Sequence, residues 1–269
     1  MTLRIIGAIT FVSFISASMV AALLTGIEQI STVGSALTWS SAFITCEGIL
    51  AFAVFERRSP IFGPVFWKAK AGGKRVALTF DDGPNEPFTS QILDILKERR
   101  VRAAFFVAGS NCLRFPGTLE RLARDGHDIG NHTWTHEVLP LKYPSQIEEE
   151  IRKTSDIVEK LTGERPRLFR APHGWRNPWT NAISRKCGCV PVAWTLGVWD
   201  TDRPGAEEIA RRTIKGVRDG CIILLHDGRG VEDGPDSSQL VEALPVIIDE
   251  IRRRGFRMVA LSQMMGTAR

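Results

Sequence analysis

Beyond residue 74, short β-rich runs alternate with segments of helical periodicity, and that alternation restricts the fold more than any other property of the chain. The strand-like runs are residues 76–80, 103–107, 128–131, 168–170, 190–195, 221–225 and 257–260. Between them, apolar residues recur three or four apart over residues 89–99, 119–125, 145–161, 206–217 and 240–253. Ser145 followed by Glu148 reads as a capping box, and Gly126, Gly163, Gly220 and Gly255 fall just past predicted helix ends. Seven such units in about 195 residues predict an α/β fold whose parallel sheet curls into a closed or nearly closed barrel.

A second constraint lies ahead of residue 56. Residues 5–27 are 23 positions without a charge, the length of helix that crosses a bilayer core. Residues 29–46 add a further uncharged 18 before Glu47. The first stretch reads as a transmembrane helix. A cleaved signal peptide is its competitor, but the run exceeds the usual apolar length of one. The second stretch, residues 33–55, reads as a second span, an interfacial helix, or a helix packed on the first. A single span keeps Arg4 inside the cell and puts the C-terminal domain outside. A hairpin turning at residues 26–29 places Arg4, Arg57 and Arg58 together on the cytoplasmic side, which the positive-inside bias favours, and this is the preferred reading. The chain thus divides into a membrane anchor (1–55), a Pro- and Gly-bearing joint (56–73) and an α/β domain (74–269).

The net charge of +5 does not mark a nucleic-acid binder. Residues 1–71 carry 5 Lys and Arg against 3 Asp and Glu, the remainder 30 against 27, and no basic stripe gathers the surplus. Five cysteines are odd in number and irregularly spaced, so no disulfide framework is expected.

In barrels of this kind the reactive groups sit at the carboxyl ends of strands. The run 76–80 leads straight into Asp81-Asp82-Gly83-Pro84. Adjacent carboxylates repel unless a cation or proton intervenes, so one metal ligand and one base is an economical reading, with a plain Asp-Gly-Pro turn as the alternative. The third run ends in His132-Thr133-Trp134-Thr135-His136, two imidazoles four apart that can grip one ion. Thr133 stands where a zinc protease needs its glutamate, which excludes that mechanism. Arg170-Ala171-Pro172-His173-Gly174 follows the fourth run, where Arg170 is placed to orient a carboxylate. The sixth run delivers Leu225-His226-Asp227, with His226 suited to general acid work and Asp200 to orienting it.

Together these segments resemble the five motifs, in order, of the NodB-type polysaccharide deacetylases of carbohydrate esterase family 4, over about residues 74–261. The resemblance implies a distorted (β/α)7-8 barrel and a divalent metal, zinc in the usual case with cobalt as an alternative, held by Asp82, His132 and His136. It implies Asp81 as base steadied by Arg170, His226 as acid tuned by Asp200, and the His173 backbone N–H as an oxyanion donor. Two departures stand out. His173 occupies a position usually aromatic, and Asp200 is followed by Thr201 and preceded by Trp199 where the family has Asp-Trp, leaving Asp202 as a rival. Trp134, Trp175, Trp179 and Trp199 lie in these loops as candidate faces for a sugar ring or as cover for the barrel rim. The expected activity is removal of an N-acyl group, acetyl above all, from an amino sugar in a polysaccharide or oligosaccharide. The rivals are a deacetylase or deformylase of a lipid-linked sugar at the cytoplasmic membrane face, and a silent membrane-anchored glycan-binding module.

Overall fold

The computed structural model describes residues 32–266, and the chain divides between Phe55 and Glu56 into two units. Of the first unit, helix α1 (Thr32–Phe55) is described. Among the described residues no helix is long and apolar enough to cross a membrane. The stretch expected to be a second span, an interfacial helix or a helix packed on the first is helical over Thr32–Phe55. The uncharged run 5–27 lies outside the described residues.

The second unit is built on a parallel sheet of β1 (Arg75–Asp81), β2 (Ala104–Val107), β3 (Asp128–Asn131), β4 (Leu168–Phe169), β5 (Val190–Pro191), β6 (Leu196–Gly197), β7 (Cys221–His226) and β8 (Arg257–Met258). Its order is β5-β4-β3-β2-β1-β7-β6, with β8 pairing the start of β1. Helices α2 (Phe88–Glu98), α3 (Gly109–Arg114), α4 (Pro116–Arg124), α5 (Pro144–Thr162), α6 (Thr180–Lys186), α7 (Ala206–Gly216), α8 (Ser238–Arg253) and α9 (Leu261–Met265) follow the strands. The strand expected over 190–195 is two short ones, β5 and β6, which form the two edges of the curled sheet. No ladder joins them among the described residues, so the barrel stays open on that side. Residues 66–69 occupy the opening: Phe66 N donates to Pro191 O, Phe66 O accepts from Ala193 N, and Ala69 N donates to Gly220 O. A segment legible only as a joint thus satisfies exposed strand groups.

Strand β1 is buried on both faces from Val76 onward, as a central parallel strand must be. Period-two alternation sends Val76, Leu78 and Phe80 to a large core shared with Ile92, Leu96, Leu244 and Ile248 of the helices. Ala77 packs in a smaller cluster with Ala104, Phe106 and Ile222 inside the curl. Gly130 of β3 is required there, because a Cβ would lie 2.5 Å from the Phe106 ring. One cap also differs from expectation. The cap of helix α5 falls two residues earlier than Ser145, with Tyr143 as N-cap, Pro144 in the first turn, and Gln146 Oε1 accepting the Tyr143 N–H at 2.9 Å. All five cysteines are free.

Candidate active site

The polar residues cluster where β1, β3, β4 and β7 end. Asp81 is the last residue of β1, paired in register with His226 of β7, and Asp82 follows in a left-handed conformation at φ 80°. The loop after β3 carries two more such residues, Thr133 at 67° and His136 at 56°. Non-glycine residues hold these angles only where surrounding bonds over-determine them. Here Glu150 of α5 supplies the bonds: its Oε2 accepts from Trp134 N and Thr135 N at 2.9 and 2.8 Å. Asn131 Oδ1 accepts from Thr133 N at 2.9 Å.

This turn brings both imidazoles to one carboxylate. His136 Nε2 and His132 Nε2 lie 3.1 and 3.3 Å from Asp82 Oδ1. The three ligand atoms fall within 4.8 Å of one another. Four ligands set tetrahedrally at zinc bond lengths stand about 3.3 Å apart, so the two short separations suit such an ion. Asp82 Oδ1 is fully buried yet accepts no hydrogen bond within the protein, an uncompensated arrangement that a cation would satisfy. Burial would raise the Asp82 carboxyl, but His136 and His132 hold it well below the usual carboxylate range. His132 Nδ1 lies 2.7 Å from the Arg170 carbonyl, which makes it the protonated nitrogen and leaves Nε2 as the electron-pair donor. The donor set therefore fits a divalent metal.

Asp81 sits beside this set with its two oxygens in different surroundings. Oδ1 accepts from Arg170 Nη1 at 2.6 Å, while Oδ2 is 3.7 Å from His132 Nε2. Arg170 is completely buried, its guanidinium 4.0 Å over the Phe106 ring and also donating to Thr79 Oγ1 at 2.9 Å. Burial lowers its pKa and Asp81 opposes that shift. Across the site, Asp200 Oδ1 lies 2.9 Å from His226 Nδ1, and its Oδ2 accepts from His226 N at 2.7 Å. The structure thus puts Asp200 against His226 and leaves Asp202 exposed. Burial works against charge on His226, but Asp200, then Asp82 and Asp81, outweigh it and push its pKa up to about 10.

The aromatic candidates separate. Trp175 is 9% exposed with its ring 4.9 Å from that of His173, so it offers no open face to a sugar. Trp199 is 68% exposed, directly before Asp200, and Trp179 is 51% exposed. His173 is exposed at φ 60°, its ring 4.8 Å from that of His136. Three supporting residues carry no signal of their own in the sequence: Glu150, Asn131 and Asn111. Asn111 Nδ2 donates to Asp82 O at 2.7 Å and to Gly230 O at 2.8 Å. Asp227 was legible only as the neighbour of His226.

Residues 68–192 match the family model described as polysaccharide deacetylase. The chain is 35% identical over 208 residues to a peptidoglycan-N-acetylglucosamine deacetylase of Bacillus cereus, covering 76% of this chain and 93% of that one. The chain belongs to the polysaccharide deacetylase family. Another family member, a chitooligosaccharide deacetylase of Bradyrhizobium, is 36% identical over 72% of this chain and 92% of its own length. The family fold is matched as well: the crystal structure of a peptidoglycan N-acetylglucosamine deacetylase in complex with an N-oxidanyl-benzamide aligns with a TM-score of 0.72 at 32% identity. That alignment covers 76% of this chain and 94% of the other.

Proposed function

We propose that the protein is a metal-dependent hydrolase that removes acetyl groups from N-acetylated amino sugars of a polysaccharide or its oligosaccharides. One observation carries this reading: a carboxylate-bis-histidine set, a separately held carboxylate and a carboxylate-oriented histidine converge at one end of one sheet. Asp82, His132 and His136 would hold the ion, zinc by donor type and ligand number. When bound, such an ion supplies a Lewis acid that favours deprotonation of water and draws electron density from the acyl carbonyl.

The chain's own groups account for the rest. Arg170 fixes Asp81 Oδ1, leaving Oδ2 to take the proton from the attacking water. The left-handed His173 presents its backbone N–H as a donor to the developing oxyanion. His226, kept protonated by Asp200, gives its proton to the amine as the C–N bond breaks, so water and amide become acetate and an amino sugar. The exposed Trp199 ring, directly before Asp200 in the chain, offers a face on which a sugar can stack. A silent binding module would have no need for a complete set of base, acid and ligands.

We also propose that the uncharged N-terminal stretch, residues 5–27, anchors the chain to a membrane. The deciding experiment incubates the zinc-loaded protein with peptidoglycan, chitooligosaccharides and a lipid-linked N-acetylated sugar, and measures acetate and free amine. Release from the first two supports the reading. Release from the lipid-linked sugar alone, or formate from an N-formylated one, replaces it with the membrane-face alternative. Fusion of the C-terminus to reporters active on one side of the membrane tests the topology.

A further inference from the structure

The strand that delivers His226 also delivers Asp227, which is 1% exposed and has no part in the proposed reaction. Its four polar atoms all bond around the turn that carries Asp81 and Asp82. The backbone N donates to Asp81 O at 3.2 Å, and the carbonyl accepts from Asn85 Nδ2 at 3.1 Å. Carboxylate Oδ1 accepts from Gly83 N at 3.1 Å. Carboxylate Oδ2 accepts from Thr89 Oγ1 at 2.6 Å, and that hydroxyl in turn accepts Asn85 N at 2.8 Å. Gly83 lies so close that a Cβ would stand 2.0 Å from Oδ2. Among the described residues no Lys or Arg pairs with this carboxylate. An unpaired buried carboxylate is costly, and its site is filled here by hydrogen bonds that all point at one loop.

We infer that Asp227 is a positioning residue: it locks residues 81–85 onto β7, setting Asp82 for the metal and Asp81 for the base relative to His226. The inference rests on the function proposed above. The geometry is specific in a way that ordinary core packing is not. Asp82 is held at φ 80°, its carboxylate must meet two imidazoles, and neither His132 nor His136 approaches Asp82 from its own strand. Loop rotation about Gly83 would carry both carboxylates away together, and Gly83 N is the group Asp227 holds. Supporting residues behind metal ligands typically change metal affinity by 10- to 100-fold when replaced.

Two variants test it. Asp227→Asn keeps the shape but cannot accept from both Gly83 N and Thr89 Oγ1 through carboxylate oxygens. Thr89→Val removes the hydroxyl that ties Oδ2 to Asn85. Zinc affinity is measured by competition with a chromophoric chelator, thermal midpoints on the metal-free proteins, and kcat and KM on the zinc-saturated ones. The expected result for Asp227→Asn is zinc binding weakened by roughly tenfold or more and kcat reduced at unchanged KM, with a smaller loss in Thr89→Val. Wild-type zinc affinity and kcat with only a lowered midpoint would make Asp227 structural and overturn the inference. Should Asp227→Asn not fold, Thr89→Val decides by the same criteria. The zinc-affinity arm needs no substrate, so a wild-type protein that binds zinc but deacetylates nothing would refute the proposed function and leave this inference to be judged on affinity.

Discussion

Arg170 and Asp81 form a fully buried ion pair, 2.6 Å from Nη1 to Oδ1, in the middle of the curled sheet. The guanidinium is sandwiched over Phe106 and bonded to Thr79 Oγ1 and Ala193 O, so its position is set by β1, β2 and the chain after β5 together. Such a pair contributes orientation more than stability, but breaking it leaves an uncompensated buried charge.

Arg170→Met is accordingly expected to destabilise the fold by about 3–5 kcal/mol, read from the urea midpoint at constant slope. Arg170→Lys retains charge but has no second arm for the Ala193 carbonyl and no planar face for Phe106, so a clear loss of kcat is expected even where it folds. An Arg170→Lys protein with wild-type kcat would remove Arg170 from any role in holding Asp81.

The metal ligands and the base are separable by content. Asp82→Ala and His132→Ala should each strip metal and activity, measured by elemental analysis of the purified protein. Asp81→Asn should keep its metal and lose roughly 10²–10⁴-fold in kcat, because the amide cannot take the water proton. Full zinc occupancy in a doubly substituted Asp82→Ala, His132→Ala protein would sink the site.

The alternation of strands and helices was readable from Arg75 onward because a buried parallel sheet needs near-continuous apolar runs, and those runs also located Asp81, His132 and His226. The region 190–195 misled because Val, Ala, Trp and Thr look like one strand, while the chain breaks after Pro191 to meet Phe66. Glu150 and Asn111 were invisible for a different reason. A glutamate on a helix and an asparagine in a short one carry no periodic signal, and their roles come from the loops that happen to fold over them. Trp175 was overestimated because sequence places it in the loop without saying that it turns inward beside His173.

Asp200 should govern the alkaline side of the pH–rate profile. Its carboxylate is the main group raising His226, so Asp200→Asn removes that stabilisation of the imidazolium and lowers the His226 pKa. The alkaline limb of kcat/KM is then expected to move to lower pH, with zinc content unchanged. A limb that stays in place would assign it to another group.

Packing inside the curl gives a prediction independent of chemistry. Gly130→Ala puts a methyl about where the Phe106 ring edge lies, at 2.5 Å, and Phe106 is itself pinned beneath Arg170. Overpacking of this kind typically costs 1–3 kcal/mol. The urea midpoint should fall accordingly, and the companion Gly130→Ala, Phe106→Leu protein should recover part of the loss. No recovery would place the strain elsewhere.

His127 should make the fold acid-sensitive well away from the catalytic groups. Its Nδ1 accepts the Ala103 N–H at 3.1 Å, a bond that only the unprotonated nitrogen can take. Burial, with Arg102 and Arg121 adding to it against Asp125, carries its pKa down from 6.5 to about 4. The unfolded chain therefore binds a proton between about pH 6.5 and 4 that the folded chain refuses, so stability falls as pH drops through that window. The loss approaches roughly 3 kcal/mol at its lower end. His127→Gln keeps an acceptor for Ala103 N and does not titrate. Urea midpoints of the two proteins, compared at pH 7 and pH 4.5, should show the wild type losing more on acidification than the variant. Equal losses would mean that His127 accepts its proton in the folded state.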